Sequence, residues 1–387
     1  MKKVIISGLA LLILTSLLVI IFQGGPNSEE VQEAEIHNED EGASEEDEES
    51  ELVDFEYDPS DFMIRAYRPL MRSDLFEEDG EGCYEIDEVI ERGDCFLEVI
   101  NDHLSFDLNY DQTQFYFPIQ QERDDWEDVF YFEIGDEGDL VDIELLDYAE
   151  EYEDEFAGPQ DDLARGKETL MAYWYVFSSV IPNEFRPTLE RVYWLDAQEQ
   201  QLLAIYRPPD DSEILSLVLS QYVGDYDTPV KVILIHEFGH YLTLNSSEID
   251  YSDGLYEDDP SLCEEYLTVY GCAKEDSYIN QFVDLFWSDL LEEHEAIDWS
   301  EESDDYREFF EKNENHFFNT YQGTEPEEDI AESFAFFVFL DSDRVETGDR
   351  VKYDKVDFFY QFDELVELRT EILENFYNLS LEDGNRY

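Results

Sequence analysis

Two histidines four residues apart in an apolar run constrain this 387-residue chain more than anything else in it. His236 and His240 frame Glu237, Phe238 and Gly239, and the residues just before them, Val232 to Ile235, are all large and apolar. Asp227, Thr228 and Pro229 precede the run, an N-cap oxygen followed by proline in the first turn, so the sequence predicts a helix from Val230 to about Leu244. In a helix the two imidazoles lie one turn apart on one face and can grip a single metal ion. Glu237 stands one residue off that stripe, where a carboxylate reaches a metal-activated water without displacing it, as a general base must. The alternative is a pair of satisfied core histidines. Burying two imidazoles in so apolar a segment calls for a partner, and a metal suits both.

A catalytic zinc centre takes three protein ligands and leaves a further position open. His294 and His316 are isolated in acidic surroundings and read as surface residues. The better source is the segment Pro326 to Ala335, which opens with proline, carries acids in its first turn and becomes apolar beyond it. Glu328 and Glu332 share one face of that helix. Glu328 can ligate Zn2+ through a carboxylate oxygen, and Glu332 one turn on can hydrogen-bond a ligand histidine and fix its tautomer. The ordinary role of an acid favoured by a helix dipole covers some of Glu325, Glu327 and Asp329.

The His236-Glu237-Phe238-Gly239-His240 helix followed by the Glu328 to Phe334 helix resembles the gluzincin metallopeptidases, most closely the lethal-factor-like group. The ligand helix of that group has a tyrosine, six residues, a glutamate, three residues and a second glutamate; here Tyr321 lies seven before Glu328. The resemblance covers two short segments. It implies an α+β fold, a zincin-like metallopeptidase domain with a small mixed sheet, an active-site helix and a helical C-terminal subdomain. It also implies His236, His240 and Glu328 as zinc ligands, Glu332 as an outer-shell acid and Tyr321 as the phenol that stabilises an oxyanion. The expected reaction is hydrolysis of a peptide or protein substrate by a zinc-activated water, with Glu237 as base. Two other readings are a non-catalytic surface binding protein on the same fold and a zinc amidase acting on cell-wall material. Glu237 opposes the first, because a structural metal needs no base beside it. No wall-binding repeat or basic patch supports the second.

The rest of the chain is organised around this unit. Lys2 and Lys3 precede an uncharged apolar run from Val4 to Phe22, nearly long enough to cross a bilayer core, with no small-x-small cleavage pattern after it. Residues 1–26 therefore read as a membrane anchor, with a removed signal segment as the alternative. That places the catalytic domain outside the cytoplasm, single-pass at the cell membrane with the membrane as a partner, or secreted. Residues 27–54, dominated by Glu, Asp and Ser, read as a disordered acidic linker. Residues 55–160 read as an α+β region of unknown role, with a helix around Ile86 to His103 and strands at Gln114 to Pro118 and Val129 to Ile134; Gly158 and Pro159 mark its boundary loop. Residues 161–387 form the zincin-like unit: a helix from Leu163 to Val180, then strands at Leu189 to Trp194, Leu202 to Tyr206 and Ile214 to Tyr222. A polar turn at Asp196 to Gln200 joins the first two strands. A long final helix from Val356 to Leu379 carries Phe358, Phe359, Phe362 and Phe376 as a core stripe.

Charge excludes one class of partner. Against 102 Asp and Glu there are 22 Lys and Arg, a formal charge of -80 that repels nucleic-acid phosphates. The four cysteines pair most naturally as two short loops, Cys83 with Cys95 and Cys263 with Cys272, among three possible connectivities.

Overall fold

A mixed sheet and two helices enclosed on every side hold the histidine pair in place. The computed structural model describes residues 80–104, 127–135, 138–145, 160–196, 203–206, 215–220, 230–251, 256, 259–268, 270–299, 303–348 and 350–384. Helix α1 (Val89–Leu104) is followed by strands β1 (Glu127–Ile134) and β2 (Leu140–Leu145) and helix α2 (Gln160–Val180). Next come β3 (Leu189–Asp196), β4 (Leu203–Tyr206), β5 (Leu215–Ser220) and helix α3 (Val230–Leu244), which carries the histidines. Three short strands, β6 (Ile249–Asp250), β7 (Leu267–Thr268) and β8 (Gly271–Ala273), form a second small sheet in the order β6-β8-β7. The remainder is helical: α4 (Tyr278–Phe286), α5 (Leu291–His294), α6 (Asp305–Lys312), α7 (Pro326–Phe339), α8 (Ser342–Thr347), α9 (Val351–Asp357) and α10 (Asp363–Gly384).

The large sheet has the order β2-β1-β3-β5-β4. Strands β3 and β4, consecutive in sequence, are not neighbours: β5 lies between them, parallel to β3 and antiparallel to β4. Strand β1 pairs antiparallel with both β2 and β3, so residues well before the motif extend the same sheet, and Tyr131 stacks against Tyr193 at 4.9 Å. Helix α2 packs on β3 and α3 packs on β4. Phe177 of α2 meets Phe238 of α3, which meets Phe334 of α7, at 6.3 and 5.8 Å between ring centroids. This row of aromatics ties the sheet side of the molecule to the ligand helix.

Helix α2 begins at Gln160, three residues ahead of the expected Leu163, because Asp161 and Asp162 suit a first helical turn. The expected final helix is broken. Helix α9 gives way to a 3-10 turn at Phe358–Gln361 before α10 starts at Asp363, and Phe358, Phe359 and Phe376 are all buried. A run of apolar residues signals burial without revealing where the winding changes. The disulfides Cys83–Cys95 and Cys263–Cys272 close the two short loops.

The membrane expectation is corrected. Among the described residues no helix is long and apolar enough to cross a membrane. The two longest, α2 and α10, have 21 and 22 residues, but charges such as Arg165, Lys167, Glu364 and Glu371 are spread along them. A transmembrane helix in the fold class, a membrane partner and a single-pass placement outside the cytoplasm are accordingly not retained. The anchor (residues 1–26), the acidic linker (27–54) and the strand at Gln114 to Pro118 lie outside the described residues.

The first turn of α7 is fixed by a buried ion pair. Lys355 of α9 contacts Asp329, both side chains fully buried, and Trp287 Nε1 donates to Asp329 Oδ2 at 2.6 Å. Burial pushes the Asp329 carboxyl up and the Lys355 ammonium down, and their mutual attraction opposes both shifts. The ammonium also donates to the His316 carbonyl at 2.8 Å and sits 4.3 Å from the Phe317 ring centroid. Lys355→Met strands the Asp329 charge in the core, so stability should fall by about 3–5 kcal/mol, read by urea unfolding. Adding Asp329→Asn removes that charge and should recover part of the loss.

Candidate metal centre

The site is built by two helices that touch through their backbones. Helix α3 has apolar residues spread around its whole circumference and is buried from Val232 to Leu244, so its few polar side chains are buried with it. Helix α7 is buried along its whole length. Where they cross, a Cβ on Gly239 would lie 3.0 Å from the Cα and 3.1 Å from the carbonyl oxygen of Ala331. The glycine between the histidines is therefore what lets α7 approach closely enough for Glu328, three residues before Ala331, to meet them.

Three donor atoms converge there. His236 Nε2 and His240 Nε2 are 3.0 Å apart, and Glu328 Oε2 lies 3.1 Å from the first and 3.2 Å from the second. The residues are 3%, 1% and 3% exposed, so water cannot satisfy them. Donors held about 2.0 to 2.1 Å from one tetrahedral zinc stand about 3.3 to 3.4 Å from each other, close to the triangle found. Three ligand atoms converging in a dry site suit a cation at their centre, and two imidazoles with one carboxylate match the preference of Zn2+. His236, His240 and Glu328 are the one group of three or more potential ligands that converges among the described residues. The donor set fits the metal.

Electrostatics agree with geometry. Burial works to raise the Glu328 carboxyl, but the neighbouring His240 and hydrogen bonding with both histidines outweigh it and hold the group well below its ordinary value. Glu237 is fully buried on α3 between the ligands. Tyr321, partly buried, has its ring centroid 5.9 Å from that of His236. Burial first, then the charges of Glu328 and Glu237, raise its phenol well above the usual range, so it stays protonated and able to donate. Glu332 Oε1 lies 3.9 Å from His236 Nδ1, beyond hydrogen-bond length. Burial raises the Glu332 carboxyl against the pull of His236, and Asn319 hydrogen-bonds it.

The structure thus brings all six expected residues to one place, and it reassigns others. Glu327 and Asp329 are not solvated helix-start charges: Tyr266 Oη donates to Glu327 Oε2 at 2.9 Å, and Asp329 is paired with Lys355. Their partners stand 61 and 26 residues away in sequence, where no local pattern points to them. His294 and His316 are partly buried rather than on the surface, and neither joins the donor cluster. His294 Nε2 meets the Thr324 carbonyl at 2.6 Å, in the turn that follows Tyr321. Gly239 was available as a signal, since a glycine inside a buried helix pattern usually marks a close approach of another backbone.

This is a single zinc site with the geometry typical of zincin metalloproteases, on an α+β domain with a mixed sheet. The buried His-x3-His pair with its glutamate is consistent with the zinc-activated-water chemistry of a metallopeptidase. Comparison with protein-family models, with curated proteins and with solved structures finds no match.

Gly239→Ala forces the added methyl against the Ala331 backbone, which has no rotamer to yield. It should cost about 1–3 kcal/mol of stability. Zinc affinity, read by competition with a chromogenic chelator, should drop by about tenfold or more as Glu328 is displaced.

Proposed function

We propose that the protein is a zinc peptidase of the gluzincin type, most like the lethal-factor-like group, acting on peptide or protein substrates. The observation that carries the reading is the buried triangle of His236, His240 and Glu328, set by two helices in contact. Zinc bound there supplies a Lewis acid that brings water within reach of deprotonation near neutral pH and polarises a carbonyl.

The chain supplies the rest. Glu237 follows His236 on α3, about 100° around the helix from the ligand, and acts as the general base that takes the water's proton and returns it to the departing amine. Tyr321, kept protonated by burial and by the carboxylates around it, donates a hydrogen bond to the negative oxygen that develops on the attacked carbonyl. Glu332 faces the outer nitrogen of His236 across 3.9 Å, where its carboxylate favours the tautomer with the proton on that nitrogen and the inner nitrogen left for the metal. The spacing Tyr321, Glu328, Glu332 supports the lethal-factor-like assignment.

The test combines zinc content with hydrolysis of a mixed peptide library. Glu237→Gln should keep its zinc and lose about 10²- to 10⁴-fold in turnover. Glu328→Ala should weaken both, its zinc affinity falling by more than the roughly 10- to 100-fold cost of losing an outer-shell partner. Tyr321→Phe should lower kcat by about 10²- to 10³-fold at unchanged zinc content. Full activity and metal content in Glu328→Ala would move the third ligand elsewhere.

A further inference from the structure

Helix α5 ends on His294, whose ring is enclosed by Trp287, Trp299 and Phe309 at centroid distances of 5.2, 5.5 and 5.5 Å. Its Nε2 stands 2.6 Å from the Thr324 carbonyl oxygen. A carbonyl has no proton to give, so the ring carries its proton on Nε2 and donates it. Thr324 in turn donates twice to the Tyr321 carbonyl, from its backbone N–H at 3.0 Å and from Oγ1 at 2.7 Å. On the other side of Tyr321, the Tyr306 hydroxyl donates to the Thr320 carbonyl. A Cβ on Gly323 would come within 3.1 Å of the Tyr306 oxygen and 3.4 Å of Phe310 and Phe317. The turn that presents Tyr321 is thus gripped at both ends by donors from the segment 294–306, with no slack in its middle.

We propose that His294 is a positioning residue that aims the Tyr321 phenol by fixing the Thr324 carbonyl. The inference rests on Tyr321 as the oxyanion donor proposed above. Tyr321 is the one member of the site carried on a turn; His236, Glu237, His240, Glu328 and Glu332 all stand on helices. Its aim depends on how that turn is held, and a shift of about 1 Å in a reacting group costs on the order of 10²-fold in rate. A neutral, partly buried imidazole that donates to a main-chain oxygen supplies the restraint without adding a charge. His294 touches none of the reacting groups itself.

A merely structural histidine would fill its aromatic box and would affect the zinc site and the phenol alike. The test therefore separates these. His294→Phe keeps the ring and deletes the donor. His294→Gln places an amide N–H near the position of Nε2, and His294→Asn places it too far back to reach Thr324. Each is measured in the full zinc-loaded chain for kcat and KM on a cleaved library peptide. Zinc affinity and the binding of a phosphinic peptide, whose anionic oxygen copies the oxyanion, are measured alongside. His294→Phe and His294→Asn should lose about tenfold in kcat and in phosphinic-peptide affinity. Zinc affinity and KM should stay within about twofold, and His294→Gln should recover most of the loss. In a Tyr321→Phe background the same changes should add less than about twofold, because the group they aim is already gone. An equal loss in both backgrounds, or a parallel loss of zinc, overturns the proposal. If Tyr321→Phe is impaired and His294→Asn is not, only the role of His294 falls. If Tyr321→Phe is itself unimpaired, the oxyanion reading falls and takes this one with it. Should His294→Phe not fold, the contrast between the Gln and Asn variants still separates a donor from a space-filling ring.

Discussion

The contact between the backbones of Gly239 and Ala331 is the constraint on which the centre depends. Two helices that carry ordinary side chains at their crossing keep their axes about 8–10 Å apart. With a hydrogen in place of a methyl at Gly239, α7 comes close enough for Glu328 to reach over α3 to the two imidazoles. The aromatic row of Phe177, Phe238 and Phe334 fixes the same approach from the sheet side. Both helices are enclosed on all faces, so neither can slide without opening the core.

Once α7 is in place, its acids would repel one another were each not given a separate partner. Glu327 accepts from Tyr266, on the hairpin closed by Cys263–Cys272. Asp329 takes Lys355 and Trp287, with Ser333 Oγ donating to its other oxygen at 3.3 Å. Glu332 is met by Asn319 and faces His236. That division leaves Glu328 to the histidine pair, with Oε2 aimed between their two Nε2 atoms. In a chain with 22 basic residues against 102 acidic ones, placing a lysine in the core beside the ligand helix is a costly use of a scarce charge. Its effect is to neutralise the acid adjacent to the ligand without competing for the ligand itself.

What could be read from the sequence was what is encoded locally. The HEFGH helix matched to the residue, at Val230–Leu244, because its cap, its apolar run and its ligand spacing are contiguous. The second helix was legible through Pro326 and its acidic first turn. The disulfides join the near neighbours that spacing favoured, although the sequence alone left three connectivities open. Strand order was not: the parallel pairing of β3 with β5 and the exile of β4 to the edge depend on contacts between segments, which periodicity does not encode. The partners of Glu327 and Asp329 and the grip of His294 on Thr324 were hidden for the same reason, and an acid favoured by a helix dipole looks identical in sequence to one buried against a lysine. The break at Phe358–Gln361 was masked by its own hydrophobicity.

His236, His240 and Glu328 form one three-residue cluster suited to a single zinc ion. Crystals of the zinc-loaded protein, measured on either side of the zinc absorption edge, test zinc binding by this cluster without reference to any substrate. One strong anomalous peak is expected about 2.0 to 2.2 Å from both Nε2 atoms and from a Glu328 carboxylate oxygen. A peak ligated by Glu332 in place of Glu328, or no peak between the two histidines at saturating zinc, would contradict it.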